Sequence, residues 1–363
     1  MTAHTTPTYN LKGIGQEANT KPDKPRAWEQ QYRFPESKRT PGKHRLYSDV
    51  YTVLPQASAL HPAKTVVLEP RQKGLPDIGD LWNENKATVN QEYFASDLVI
   101  RRLHTLVSAA PAPTRPGKIM VAGPAHEHHV FAPLFLTLML RYQGWGTIYM
   151  GANVPHDYME ANIAAAKPDL IVMTAQQLHT AASLYEVAEF LQLERIVLAY
   201  GGRIFNQIPA LQERIAGHFL GSRLQTAVSQ VELLLAKRPL AAPIEPVSQI
   251  YSDTLHHFRH HQADIEAEVW HSLQNTDIPH QELTNANMHL ARDISAALTL
   301  GNVSLLSKEI AWTEKLILNH DMPADHLTRY LAAYKQATKK ILNSDNTLIL
   351  SWLERIATEK GEK

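Results

Sequence analysis

The order of apolar and polar positions divides this chain into stretches of different character. Between residues 88 and 110 the spacing is helical. Thr88-Val89-Asn90-Gln91 fits a capping box, and Phe94, Leu98, Arg101 and Val99, Leu103, Leu106 then alternate polar and apolar faces. From Lys118 the pattern changes. Short apolar runs that suit buried strands lie near 118–122, 147–150, 169–174, 196–200 and 218–220. Between them, segments at helical spacing lie near 130–143, 155–166, 180–192, 207–216 and 223–237. Beyond Pro239–Pro246 the pattern is helical to the end, with Leu290, Ile294, Leu298 and then Leu305, Glu309, Trp312, Leu316 in step. Gly301-Asn302 and Asp321–Asp325 interrupt it, and Pro323 opens the next helix.

Strands alternating with helices at this spacing predict a parallel sheet covered on both faces. Five strands over 117–238 predict an α/β fold, a flavodoxin-like, doubly wound five-stranded domain. Residues 247–363 predict a bundle of roughly four to six helices. Residues 46–112 read as a helical cap-like module broken near Pro55, Pro62, Pro70 and Pro76, with Pro111–Pro116 as a stiff linker. Residues 1–45 are rich in Pro, Lys, Thr and Gly and too poor in apolar side chains to offset their ordering entropy, so a flexible polar arm is expected.

Composition narrows the chemistry. A length of 363 residues suggests roughly two to three domains. Lys+Arg and Asp+Glu are both 36, so no global field points to nucleic acid or an anionic membrane. Lys21, Lys24, Arg26, Lys38, Arg39, Lys43 and Arg45 would serve either as a contact for an acidic partner or as a solvated tail. No helix-turn-helix pattern precedes the other stretches, so direct nucleic-acid binding is not expected. The absence of cysteine excludes disulfides, zinc–thiolate and iron–sulfur sites, a Cys nucleophile and thioether-linked cofactors. Nineteen histidines leave imidazole as the main candidate metal ligand. The N-terminus is polar and no apolar window reaches about 18 residues, so a cytoplasmic protein without a membrane span is expected.

Three polar or glycine signals follow three different strands: Glu127-His128-His129, Thr174-Ala175-Gln176 and Gly201-Gly202. In a doubly wound sheet the first, third and fourth strands are neighbours, and their carboxyl ends open onto one crevice. Adjacent histidines on a loop also suit a plain solvated loop, and Trp82 by itself reads as a core residue. As a site, however, the three signals form a set. His129 offers a neutral ring nitrogen to a metal while Glu127 fixes its tautomer. Thr174 supplies a hydroxyl to a buried heteroatom. Gly201-Gly202 clears side chains from the path of a flat, wide ligand. No phosphate-cradling glycine loop follows the first strand, which disfavours a nucleotide.

Glu127 to Ala132, Thr174-Ala175-Gln176 and Gly201-Gly202 together resemble the signature of cobalamin-binding domains, found in methionine synthase, corrinoid methyl carriers and adenosylcobalamin-dependent light-sensing repressors. The stretches Leu140–Trp145 and Gly151–Pro155 are similar to the segment after that family's histidine. The resemblance implies a base-off cobalamin with His129 as lower axial ligand to cobalt, oriented by Glu127, and Thr174 and Gly201-Gly202 lining the slot for the nucleotide tail. Upstream, Trp82 followed after nine residues by Glu92-Tyr93 resembles the cap motif of the light-sensing members and implies that Trp82 packs over the upper adenosyl group. Four positions depart from the pattern: Ala132 stands for Gly, Thr174 for Ser, Gln176 for Leu, and Tyr93 for the upper-face His.

The resemblance implies a non-enzymatic sensor, a photoreceptor using adenosylcobalamin whose output passes to a protein partner, with homo-oligomers allowed. A corrinoid methyl carrier is the rival from another class. The C-terminal helices also loosely resemble the helical domain of sensors that pair cobalamin with a bilin (Leu298–Asn302, Trp312, Met322-Pro323, Leu327), which without cysteine would bind noncovalently. Haem on a degenerate form of the fold is the remaining alternative.

Overall fold

The computed structural model describes residues 9–10, 37–39, 45–47, 89–319, 323–342 and 347–361. Its chain divides into Met1–Arg102 and Leu103–Lys363. In the first unit, β1 (Tyr9–Asn10), β2 (Ser37–Arg39) and β3 (Arg45–Tyr47) form an antiparallel sheet in the order β1-β3-β2. Two expectations are corrected here. The polar arm carries paired strands, and Leu46-Tyr47, expected to open the helical module, belong to β3. Tyr9 pairs directly with Tyr47 in the register of β1 and β3. Residues 48–88, with the proline-broken helices expected there, lie outside the described residues. Helix α1 runs from Val89 to Ser108.

The second unit is built on β4 (Lys118–Pro124), β5 (Gly146–Val154), β6 (Leu170–Thr174), β7 (Leu198–Gly201) and β8 (His218–Phe219). They form one five-stranded sheet, ordered β5-β4-β6-β7-β8. Every pairing in it is parallel. This is the doubly wound arrangement expected, with the first, third and fourth strands adjacent. Interleaved with it are α2 (Phe131–Tyr142), α3 (Met159–Ala166), α4 (Leu178–Leu193), α5 (Arg203–Gln207) and α6 (Leu224–Lys237). The helix expected over 207–216 is instead the short α5 followed by a 3-10 turn, Pro209–Arg214, because Pro209 cannot continue the α-helical hydrogen bonding.

Alternate residues of each strand feed different cores. Ile119, Val121, Leu170 and Val172 meet Leu136 and Leu140 of α2 and Val231 of α6. Met120, Ile171, Met173 and Tyr200 face the other way, toward α4. That second core does not stop at α4. It continues into α7 (Gln249–Leu273), α8 (His280–Thr299), α9 (Leu306–Asn319), α10 (Ala324–Leu342) and α11 (Thr347–Gly361). Phe258, Ile265, Ile294, Tyr334 and Trp352 are all buried in it. Arg214 ties the two parts further by donating to the carbonyls of Leu300 (3.1 Å) and Glu245 (2.9 Å). Among the described residues no helix is long and apolar enough to cross a membrane.

Candidate functional site

The site grows out of the loop between β4 and α2. β4 runs two residues past the expected end, and its pairing with β5 shifts register at Ala122 and Pro124. The shift brings Asn153, left-handed at φ 52°, against the loop. Its side-chain oxygen accepts from the backbone N–H of His126 at 2.7 Å, and its own N–H donates to the Glu127 carbonyl at 2.8 Å. His126 is itself left-handed, at φ 66°. This clamp turns Glu127 inward and leaves His126 and His128 exposed.

Glu127 is fully buried, and four donors converge on its carboxylate. Oε1 accepts from the backbone N–H of His129 (2.8 Å) and pairs with His129 Nδ1 (2.6 Å). Oε2 accepts from the backbone N–H of Gln176 (2.7 Å) and the Thr180 hydroxyl (2.9 Å). Burial pushes the acid's pKa up, but the hydrogen bonds and charge of His129, with the Gln176 N–H, outweigh it and hold Glu127 below the ordinary 4.5. An ionised carboxylate only accepts, so His129 presents Nδ1–H to it, and in the neutral ring Nε2 then carries the lone pair on the far side. The His129 side chain is 56% exposed.

Thr174 pairs with Gly201 across β6 and β7, and the Ala175 N–H donates to the Gly201 carbonyl at 3.0 Å. The Thr174 hydroxyl is buried without a hydrogen-bond partner. A Cβ built on Gly201 would meet nothing within 4 Å, so this position borders open space. Gly202 differs: at φ 131° its Cβ would overlap the Ala175 carbonyl, so glycine there is required by the backbone itself. Gln176, in the position where leucine was expected, joins two strand ends. Its backbone holds Glu127, and its side-chain oxygen accepts from the Arg203 N–H at 3.0 Å. Ala132 lies half-buried in the first turn of α2.

The sequence-derived candidates Glu127, His129, Thr174, Gln176, Gly201 and Gly202 therefore share the carboxyl edge of the sheet. Trp82 lies outside the described residues, and Glu92 and Tyr93 lie on α1 with their side chains outside them. Three contributors were missed. Asn153 sat inside the quoted Gly151–Pro155 stretch without a role. Thr180 sits at the third position of α4, one helical turn past Gln177, where a capping reading would have found it. His179, 6% exposed with Nδ1 unpartnered, gave no signal beyond being a histidine on an apolar helix.

These features fit a large cofactor with one imidazole-coordinated metal: a ring nitrogen set free by its tautomer, a buried hydroxyl lacking a partner, and an unfilled gap at Gly201. Residues 117–222 match the B12 binding domain family. The matched residues coincide with the five-stranded sheet and its site. The chain is also 29% identical over 166 residues to the HTH-type transcriptional repressor CarH of Myxococcus xanthus, covering 44% of this chain and 54% of that protein. It is 30% identical over 87 residues to the HTH-type transcriptional repressor CarA of the same organism, covering 24% and 30%. This chain thus spans about half the length of CarH and less of CarA.

Among solved structures, a cobalamin-binding protein from Desulfitobacterium hafniense DCB-2 aligns over 51% of this chain and 90% of its own at 16% identity, with a TM-score of 0.30. The monomethylamine corrinoid protein of Methanosarcina barkeri aligns over 50% and 89% at 15% identity, with a TM-score of 0.44. The methanol:cobalamin methyltransferase complex MtaBC of Methanosarcina barkeri aligns over 52% and 74% at 21% identity, with a TM-score of 0.31. Likeness at this level is too slight to bear on function.

Proposed function

We propose that the B12 binding domain holds a base-off cobalamin with His129 Nε2 as lower axial ligand, and that the protein is a sensor using the adenosyl form. The observation that carries the reading is the buried Glu127 carboxylate, which pairs with His129 Nδ1 at 2.6 Å and is anchored from the opposite side by Gln176 and Thr180. An imidazole oriented in this way offers its other nitrogen to a metal and loses less orientational freedom on ligation. Thr174 would give its unpartnered hydroxyl to a heteroatom of the nucleotide tail, and the gap at Gly201 would admit the tail. Adenosylcobalamin, when bound, supplies a photolabile cobalt–carbon bond.

The protein's part is to hold the lower face and to convert a change at the upper face into a change in packing. The continuous core from α4 into α7–α11 gives such a change a path to the C-terminal helices, where a protein partner would read it. Trp82, Glu92 and Tyr93 are proposed as upper-face residues on the cap motif alone. CarH and CarA are named as helix-turn-helix repressors, so DNA is the other output to be assayed.

The test is an absorption titration of wild type and His129→Ala with adenosylcobalamin in the dark, repeated after illumination with a sizing measurement. Wild type should show base-off, His-ligated bands, and the variant should lose them and bind on the order of 10–100-fold more weakly. Identical titrations would remove the ligand assignment. A spectrum and oligomeric state untouched by light would leave a cobalamin protein that is no photoreceptor. Methyl transfer from bound methylcobalamin to an acceptor would favour the carrier reading.

A further inference from the structure

A cleft of about 670 Å³ lies between α4, α7 and α8 and extends to His126, one residue before Glu127 and three before His129. It exists because small residues, Ala182 and Ser183 on α4 and Ser295 and Ala296 on α8, line it. Its wall is polar but of no single sign, with Arg259 and Arg292 set beside Glu186 and Glu266. Two polar atoms of its lining are buried without partners, His179 Nδ1 and Arg292 Nε. His179 is 6% exposed. Burial, reinforced by the charge of Arg292, lowers its pKa to about 3, so the ring stays neutral. Buried groups left unpaired in this way are uncommon in a finished fold and call for a partner.

The wall's chemistry selects among partners. A simple anion would be repelled by Glu186 and Glu266, and a cation by the two arginines. An apolar ligand would leave His179 Nδ1 and Arg292 Nε without partners. A rim of uncharged primary amides suits the set, because each amide both donates and accepts. Arg259, Arg292 and Gln262 can donate to amide carbonyls, and Glu186 and Glu266 can accept from amide nitrogens. The corrin macrocycle carries such amides around its edge. His126, which lines the cleft, belongs to the same loop as the candidate cobalt ligand.

We propose that α7 and α8 of the C-terminal bundle, facing α4, form the wall that receives the amide-bearing rim of a corrin ligated by His129. This rests on the cobalamin reading above. It makes the C-terminal helices part of the cofactor site, so that cofactor binding joins them to the sheet domain.

The full-length chain tests it. Arg259→Ala/Gln262→Ala removes two donors from a partly exposed wall, and Ser295→Trp fills the cleft. Each is titrated with adenosylcobalamin in the dark beside His129→Ala, after its unliganded melting midpoint has been compared with wild type. Both cleft variants should bind about ten-fold more weakly, the loss expected for one to two hydrogen bonds, while keeping the His-ligated spectrum. Backbone hydrogen exchange in α7 and α8 of wild type should slow when cobalamin binds. If Ser295→Trp does not fold, the double alanine variant and the exchange measurement decide. Wild-type affinity in the cleft variants, with loss in His129→Ala, overturns the wall assignment and leaves the cobalamin reading intact. No binding by wild type removes both.

Discussion

Replacing Glu127 probes the centre of the arrangement, and its effect on stability can be worked from the contacts. In Glu127→Ala all four donors lose their acceptor, but not equally. The half-exposed His129 ring and the N–H beside it can turn to water. The Thr180 hydroxyl retains the Gln177 carbonyl at 3.0 Å. The Gln176 N–H retains only a longer bond to Thr180 Oγ1, at 3.2 Å. One to two hydrogen bonds to a charged acceptor are therefore lost outright, at about 1.5–3 kcal/mol each, and the expected destabilisation is about 3 kcal/mol. Glu127→Gln should fare no better despite its matching size. A backbone N–H that can only donate faces each oxygen, from His129 on one side and Gln176 on the other, so whichever way the amide turns, its NH2 meets a fixed donor.

Urea unfolding of the unliganded chain, followed by fluorescence, measures both. The carboxylate also shapes the pH dependence. Its folded pKa lies below its unfolded one, so its stabilisation is complete above the ordinary carboxylate range and is lost as pH falls through the folded value. Wild type should lose this increment in acid, and Glu127→Gln should lack it. A Glu127→Gln protein within about 0.5 kcal/mol of wild type at neutral pH would refute the ionised four-donor arrangement, since an uncharged amide could then satisfy the site.

The two adjacent glycines should separate cleanly. Gly202→Ala forces a Cβ onto the Ala175 carbonyl at φ 131°, and should cost about 3 kcal/mol or more in thermal or urea unfolding. Gly201→Ala meets nothing within 4 Å, so unfolding should change by less than about 1 kcal/mol while cobalamin titration weakens. Thr174→Val removes an unpartnered buried hydroxyl, so the unliganded protein should be unchanged or up to about 1 kcal/mol more stable, and cobalamin should bind several-fold more weakly. His179 is buried neutral, with its pKa lowered from 6.5 to about 3, so the unfolded chain takes up its proton first. Its contribution is present above pH 6.5 and falls away toward about 3, reaching a loss of about 2 kcal/mol near pH 5. His179→Leu should therefore flatten the stability profile between about pH 3 and 6.5, and an unchanged slope would contradict the buried neutral state.

The sheet was legible because its central strands β4, β6 and β7 are apolar runs buried on both faces, and such runs stand out from the polar loops beside them. Leu170–Thr174 is the clearest, with every residue buried. The strand order followed from the same alternation, since right-handed crossovers leave few ways to wind five strands. The edges of elements were less legible. Pro209 splits the expected 207–216 helix, and a register shift with β5 carries β4 on to Pro124. The three short strands near the N-terminus escaped notice because two- and three-residue strands hold too few apolar positions to set a period.

By itself the sequence determined which residues could do chemistry and on which strand ends they would fall, because loops at the carboxyl edge of a parallel sheet are fixed once the strands are. It also determined the absence of thiol chemistry. Only the tertiary structure decided that Glu127 is buried, that Asn153 and Thr180 hold it in place, and that Gly201 borders a gap while Gly202 relieves a backbone clash. Only the folded chain joins the C-terminal helices to the sheet through one core and opens a polar cleft beside the loop. These depend on contacts between residues far apart in the chain, and no local period or spacing encodes how two distant side chains will meet.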